Sequence, residues 1–173
     1  MEEEQSYVIT MLVENKPSVT SRITGLFSGR GYNMESICGA PTHDPNISRI
    51  TIKTKATPHQ FGEICAQLNR LIDVIKLRDM TEDEKSVKRE MALISVAITP
   101  QNRAELIQLV DIFHAKIVNA GTDSYIVEVT GTEDKVSSLI ELLLPLGIKK
   151  VTRSGILALY KDLEESHKDT PTP

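Results

Sequence analysis

Few side chains in this chain of 173 residues have a type and spacing suited to catalysis. The four histidines, His43, His59, His114 and His167, are scattered, and none stands at helical spacing from a set of further ligands that would close a metal site. His43, beside Asp44 and Pro45, reads as a turn residue. Cys38 and Cys65 are far apart and lack CxxC spacing, which argues against a disulfide framework or a zinc knuckle and fits a reducing cytosol. Serine, histidine and aspartate all occur, but no pattern brings them together as a nucleophilic triad. No Gly-x-Gly-x-x-Gly opens a helix after a strand. Gly29-Arg30-Gly31 follows a helical stretch, where helix termination explains it better than a phosphate cradle.

The remaining chemistry lies in the loop of residues 14–19, Glu14-Asn15-Lys16-Pro17-Ser18-Val19. The first N–H groups of a helix have no internal partners and sit at the positive end of its dipole, so they can receive a small carboxylate. An amino-acid zwitterion suits such a place. Asn15 could present an amide from the end of a strand, and Asn33, after Gly31-Tyr32, a second from a neighbouring edge. Spacing alone fits a cap residue at Asn15 and a turn residue at Asn33 more readily.

These residues must be held by the surrounding elements. Residues 7–13 (YVITMLV) form an apolar, β-branched run that reads as a buried strand. Val19, Ile23, Leu26 and Phe27 recur at helical spacing, which predicts a helix over roughly 17–30 with Pro17 in its first turn and Gly29 and Gly31 as stop signals. Residues 33–40 and 47–56 are extended about a Pro41-Thr42-His43-Asp44-Pro45-Asn46 turn. Phe61 to Ile72 carry a helical stripe, and residues 74–77 are extended again. Residues 79–90 (DMTEDEKSVKRE) are dense in charge and read as an exposed connection between domains 6–78 and 91–161.

The same order then returns. Residues 91–98 are extended, Leu106 to Phe113 helical, 116–119 and 125–130 extended, Val136 to Leu143 helical, and 148–152 and 156–160 extended. Residues 162–173 read as a disordered tail. Each unit of about 75 residues must lay two helices across one face of a four-stranded sheet. The expected fold is α+β, two ferredoxin-like βαββαβ domains with antiparallel sheets and helices on one face. Open sheet edges and slender cores favour pairing with a second copy, so a homodimer is expected.

Composition narrows the function classes. Hydrophobic residues make up 40%, and the net charge of −4 leaves no basic field for nucleic acid or anionic lipid. This fold can bind RNA by stacking bases on strand aromatics, but Phe, Tyr and Trp total 4% and the strand ISRITIKTK has none. Arg22, Arg30 and Arg49 read as solvated charges. The acidic start Met1-Glu2-Glu3-Glu4 is unlike a signal peptide, and no run reaches the roughly 20 apolar residues of a membrane span, so a soluble cytoplasmic protein is expected.

VENKPSVTSRITGLFSGRGYNMESI (13–37) and APTHDPNISRITI (40–52) resemble the opening of the regulatory small subunit of acetolactate synthase, or acetohydroxyacid synthase. The likeness continues through LNRLIDVIKL, VKREMALI, IFHAKIVNAG and TRSGILAL, covering nearly the whole chain. It implies an N-terminal ACT domain, a C-terminal ACT-like domain and no catalysis or cofactor of its own. It also implies binding to a large catalytic subunit that carries thiamine diphosphate, Mg and FAD. The small subunit would activate that partner and confer feedback inhibition by valine or a related branched-chain amino acid. In similar proteins two ACT domains pair side by side and hold the effector at their interface. The matching positions are Asn15, Lys16, Pro17, Ser18 and Val19, with Asn33 from the partner.

One position departs from the family's pattern. Ser18 and Thr20 stand where such loops carry glycine and leucine. Serine would crowd the carboxylate or misplace the loop amides, or else adopt glycine's backbone and add a hydroxyl donor. The alternatives are therefore a working sensor and an activating subunit with lost or altered effector response. A stand-alone hydrolase on this fold would need a phosphate cradle with a fixed arginine, and the loop offers none before Arg22.

Overall fold

The computed structural model describes residues 3–82 and 86–161. The elements run β1 (Gln5–Glu14), α1 (Val19–Gly29), β2 (Met34–Pro41), β3 (Ile47–Ala56), α2 (Pro58–Leu68) and β4 (Val74–Asp79). They continue as β5 (Ser86–Ala97), α3 (Arg103–Ile112), β6 (Lys116–Ala120), β7 (Ser124–Gly131), α4 (Glu133–Gly147), β8 (Ile148–Arg153) and β9 (Leu157–Tyr160). The sheet orders β2-β3-β1-β4 and β6-β7-β5-β8 are the same arrangement twice, each pairing along these orders antiparallel, and β9 adds a fifth strand to the second sheet. The fold is α+β, built from two βαββαβ sheets.

In the first unit, strand alternation sends Tyr7, Ile9, Met11 and Val13 to one side of β1. There they pack with Val19, Ile23 and Phe27 of α1, Ile50 and Ile52 of β3, and Ile64 and Leu68 of α2. Val8, between them, is buried in a second cluster with Met80, Ile156 and Ala158. Thr10 and Thr51 are also buried and share a 3.2 Å hydrogen bond between hydroxyls. Burial on both faces explains why β1 reads as a continuous apolar run. In the second unit Ile94, Val96, Leu106, Val127, Leu139 and Leu143 form the corresponding core.

Domain limits differ in detail from a connection over 79–90. Asp79 closes β4 and Ser86 opens β5, and the chain divides after Val87, with residues from Ile156 onward grouped with the first unit. The charge of this segment concealed strand alternation. Glu90 is buried, but it accepts hydrogen bonds from Nε of Arg153 at 2.9 Å and from Nη2 of the same guanidinium. A bidentate partner lets a carboxylate occupy an inward strand position. The tail at 162–173 lies outside the described residues. Arg22 is likewise no merely solvated charge: its guanidinium meets the buried carboxylate of Asp73 at 2.7 Å.

Both first helices end in one way. At the end of α1, Tyr32 N–H donates to Phe27 O (3.0 Å) and Gly31 N–H to Ser28 O (3.2 Å), with Gly31 left-handed at φ 71°. This is a Schellman stop, and its apolar contact is the edge-on packing of Phe27 and Tyr32. At the end of α3, Ala115 N–H donates to Val110 O (2.8 Å) and His114 N–H to Asp111 O (3.1 Å), with His114 at φ 48°. A left-handed residue carrying Cβ is strained by about 1 kcal/mol relative to glycine. His114→Gly is therefore expected to stabilise the chain by somewhat less than about 1 kcal/mol, since glycine also gains freedom in the unfolded chain, read as a higher urea midpoint at unchanged slope.

Cys65, on α2, packs half-buried against the first core, and burial pushes its thiol up to about 11. Only the thiolate attacks, so at pH 8 Cys65 should label about a hundredfold more slowly than an ordinary thiol. Timed alkylation with site-resolved mass spectrometry checks this; labelling at an ordinary thiol's rate would contradict it.

Candidate functional site

The loop after β1 is fixed to the β2–β3 hairpin. Asn15 donates its backbone N–H to Asn46 O at 2.7 Å and its side-chain amide to Pro45 O at 2.8 Å. The hairpin is itself closed where Asp44 Oδ1 accepts from Asn46 N–H at 2.8 Å. Glu14 N–H donates to Asp73 O at 2.9 Å, and the Asp73 carboxylate holds Arg22. Three loops at this end of the sheet thus fix the approach to α1. Lys16 turns back onto Glu14 at 2.8 Å, a hydrogen bond that raises its ammonium pKa.

Pro17 stands outside the helix, and Ser18 takes φ 71° and ψ −4° immediately before Val19. Proline followed by a left-handed residue is the arrangement of a type II turn, closed here by a long 3.5 Å bond from Val19 N–H to Lys16 O. That turn favours glycine at the left-handed position, and this chain has serine. Ser18 therefore adopts the backbone glycine would take, at a cost of roughly 1 kcal/mol. Ser18→Gly should raise stability by somewhat less, because glycine also gains freedom in the unfolded chain. A rise in the urea midpoint checks this; a fall would show that the Ser18 hydroxyl stabilises the turn.

The start of α1 is chemically open. No side chain caps its first turn and no acidic residue lies in it. The other described helices differ. Thr57 and Gln60 form a capping box on α2, Thr132 accepts from Lys135 N–H on α4, and α3 carries Glu105 in its first turn. At the start of α3, Asn102 is saturated: it accepts from Thr99 N–H at 2.8 Å and donates to Ala97 O and Leu146 O. Among the described residues, no side chain caps the positive end of α1, and the nearby Glu14 and Asp73 carboxylates are paired with Lys16 and Arg22.

Beside it opens a cleft of about 380 Å³ lined by Asn15, Thr20, Ile37, Gly39, Ala40, Pro41, Ser48 and Ile50. It lies between the first turn of α1 and the end of the edge strand β2. A Cβ at Gly39 would stand 3.2 Å from Ile50 Cγ1, so glycine lets β2 approach the cleft floor closely. Of the residues singled out in sequence, Asn15 lines the cleft, Lys16, Pro17 and Ser18 form the exposed turn above it, and Val19 is buried in the core. Asn33 lies elsewhere. It precedes the other end of β2, eight residues from Pro41 and so roughly 25 Å along an extended chain. It is exposed, and its carbonyl accepts from Thr54 Oγ1 at 2.6 Å.

Sequence reasoning had no reason to single out Ile37, Gly39, Ala40, Pro41, Ser48 and Ile50, which meet only through β2–β3 pairing. Thr20 stands out in the sequence only as a departure from the family's loop, and its place in the first turn of α1 puts it on the cleft.

Residues 9–76 match the profile described as an AHAS small subunit-like ACT domain, and residues 89–162 that of the small subunit of acetolactate synthase. The chain belongs to the acetolactate synthase small-subunit family. A probable acetolactate synthase small subunit of Archaeoglobus fulgidus is 43% identical over 155 residues, 90% of this chain and 96% of that one. The acetolactate synthase small subunit of Aquifex aeolicus is 41% identical over 161 residues, covering 92% and 83%. The crystal structure of an acetolactate synthase small subunit from Thermotoga maritima superposes with a TM-score of 0.84 at 34% identity, covering 91% of this chain and 98% of that one. In this family the small subunit is regulatory and catalysis resides in the large subunit. No described helix is long and apolar enough to cross a membrane, and among the described residues no three His, Cys, Asp or Glu side chains gather as a metal site.

Proposed function

We propose that this chain associates with the catalytic large subunit of a cytoplasmic acetolactate synthase, raises its activity and makes it sensitive to valine or a related branched-chain amino acid. Thiamine diphosphate, Mg and FAD would belong to that partner. The observation that carries the reading is the uncapped, acid-free start of α1 beside the Asn15 cleft, within the segment that matches the family's ACT profile. An effector carboxylate would lie on the first α1 amides, and its aliphatic side chain on Ile37 and Ile50. The Asn15 amide oxygen, which has no partner among the described residues, would accept from its ammonium group.

The distant Asn33 supports a homodimer site. β2 is an edge strand, so two copies can pair β2 to β2 antiparallel about a dyad. That pairing would bring the start of the partner's β2, with its Asn33, opposite the end of the first copy's β2, where the cleft opens. Ligand bridging the seam would then favour one arrangement of the paired sheets. Inhibition needs only a difference in affinity between arrangements, typically about 1 to 3 kcal/mol.

The test adds the purified chain to its catalytic subunit and follows acetolactate formation with and without valine, leucine and isoleucine, alongside calorimetric titration of the chain alone. Stimulation with inhibition by one of these ligands is expected. Stimulation without heat or inhibition would favour the activating subunit of altered response, for which the strained Ser18 is the specific observation. Turnover by the chain alone would overturn the reading.

A further inference from the structure

The lining of the cleft carries information about the ligand's side chain. Ile37, Gly39, Ala40, Pro41 and Ile50 make an apolar floor from β2 and β3. Two hydroxyls interrupt it: Thr20, in the first turn of α1, and Ser48, on β3 opposite Pro41. Neither side chain has a hydrogen-bond partner among the described residues, whereas Thr10 and Thr51 bond each other and Thr54 is tied to Asn33 O. A pocket built only to hold a branched hydrocarbon gains nothing from such groups, because an apolar ligand would take water from them without replacing it. A ligand hydroxyl would replace it.

We propose that Thr20 and Ser48 set the effector specificity of this cleft by admitting a β-hydroxyl, so that threonine is bound nearly as well as its isostere valine. The proposal rests on the reading of the cleft as the effector site. Valine and threonine have the same shape, so packing against Ile37 and Ile50 scarcely distinguishes them. An apolar pocket rejects the added hydroxyl by about a hundredfold. With two hydroxyls able to donate to it or accept from it, the preference for valine should fall below about tenfold. Thr20 is exposed and Ser48 half-buried, so Thr20→Val and Ser48→Ala keep the shape of the cleft without opening a core cavity.

The experiment is calorimetric titration of the full-length chain with valine and with threonine, for wild type, the Thr20→Val/Ser48→Ala double variant and Asn15→Ala. The expected result is a valine-to-threonine affinity ratio below about ten in wild type, rising about tenfold in the double variant through loss of threonine binding. Asn15→Ala should weaken both ligands together. If wild type binds valine and Asn15→Ala abolishes it, but the ratio moves by less than about threefold in the double variant, the specificity proposal is overturned and the effector site stands. If wild type binds neither ligand, the effector site itself is overturned, and the proposal with it.

Discussion

Ser18→Asp should abolish effector response while leaving the chain at least as stable as wild type. Aspartate tolerates the left-handed backbone of Ser18 better than most residues, and its charge sits at the positive end of α1, worth about 0.3 to 1 kcal/mol. The same charge occupies the place proposed for the effector carboxylate. Two unit charges about 4 Å apart at an effective dielectric of about 20 repel by about 4 kcal/mol. Ser18 is exposed, so solvent screens part of this, and a loss of at least about a hundredfold in affinity remains. Titration with valine beside urea unfolding separates the two effects, and added salt should recover part of the affinity. Unimpaired binding in the aspartate variant would place the carboxylate away from α1. Stimulation of the catalytic subunit should persist, since the substitution touches no core residue.

Phe27→Ala is expected to show the largest loss of stability, about 4 kcal/mol. The ring is fully buried at the centre of the first core and among the largest of its side chains. Truncating such a residue removes its transfer energy and leaves a cavity, with typical costs of about 3 to 5 kcal/mol. Phe27 also supplies the apolar contact of the stop that ends α1, packing edge-on against Tyr32 at 6.5 Å between centroids. Its loss removes the ring contact on Tyr32 and leaves the bonds of that residue's N–H to the residue 27 carbonyl and of its hydroxyl to Glu63, so the backbone leading to Asn33 is loosened but stays tethered. Urea unfolding followed by far-ultraviolet circular dichroism measures the stability. Effector affinity measured well below the midpoint reports on Asn33, and Phe27→Leu should restore most of both. A loss below about 2 kcal/mol would mean that the core collapses around the gap.

Much of the fold was legible because local signals agreed with the tertiary result. The periodic Val19, Ile23 and Phe27 became the buried stripe of α1, Gly31 became its left-handed stop, and the Pro41 to Asn46 turn became the hairpin. Thr57-Pro58 opens α2 with a capping box that lies upstream of the apolar stripe beginning at Phe61. The same stripe ran on to Ile72, whereas α2 stops at Leu68 and Ile72 is 94% exposed. Periodicity does not distinguish a helix from a turn that continues its spacing by chance.

Charge misled for a related reason. Residues 86–90 read as linker because lysine, arginine and glutamate are usually solvated, and Arg22 read as solvated on the same ground. The partners Arg153 and Asp73 lie about 60 and 50 residues away in sequence, and no local pattern announces a pair of that separation. In both cases the distant partner makes a buried carboxylate tolerable.

What the sequence determined by itself was the family, the order of elements and the place of the loop for which an effector site is proposed, because these are written in contiguous residues: a β-branched run, a helical stripe and Asn-Lys-Pro before a helix. The tertiary structure alone decided that Ser18 is left-handed, that no side chain caps the start of α1, and that Thr20 and Ser48 face one cleft with Ile37 and Ile50. It also decided that Asn33 lies at the far end of β2 from that cleft. These follow from strand pairing and from the backbone path between elements, which bring together residues tens of positions apart and which side-chain identity does not encode one residue at a time.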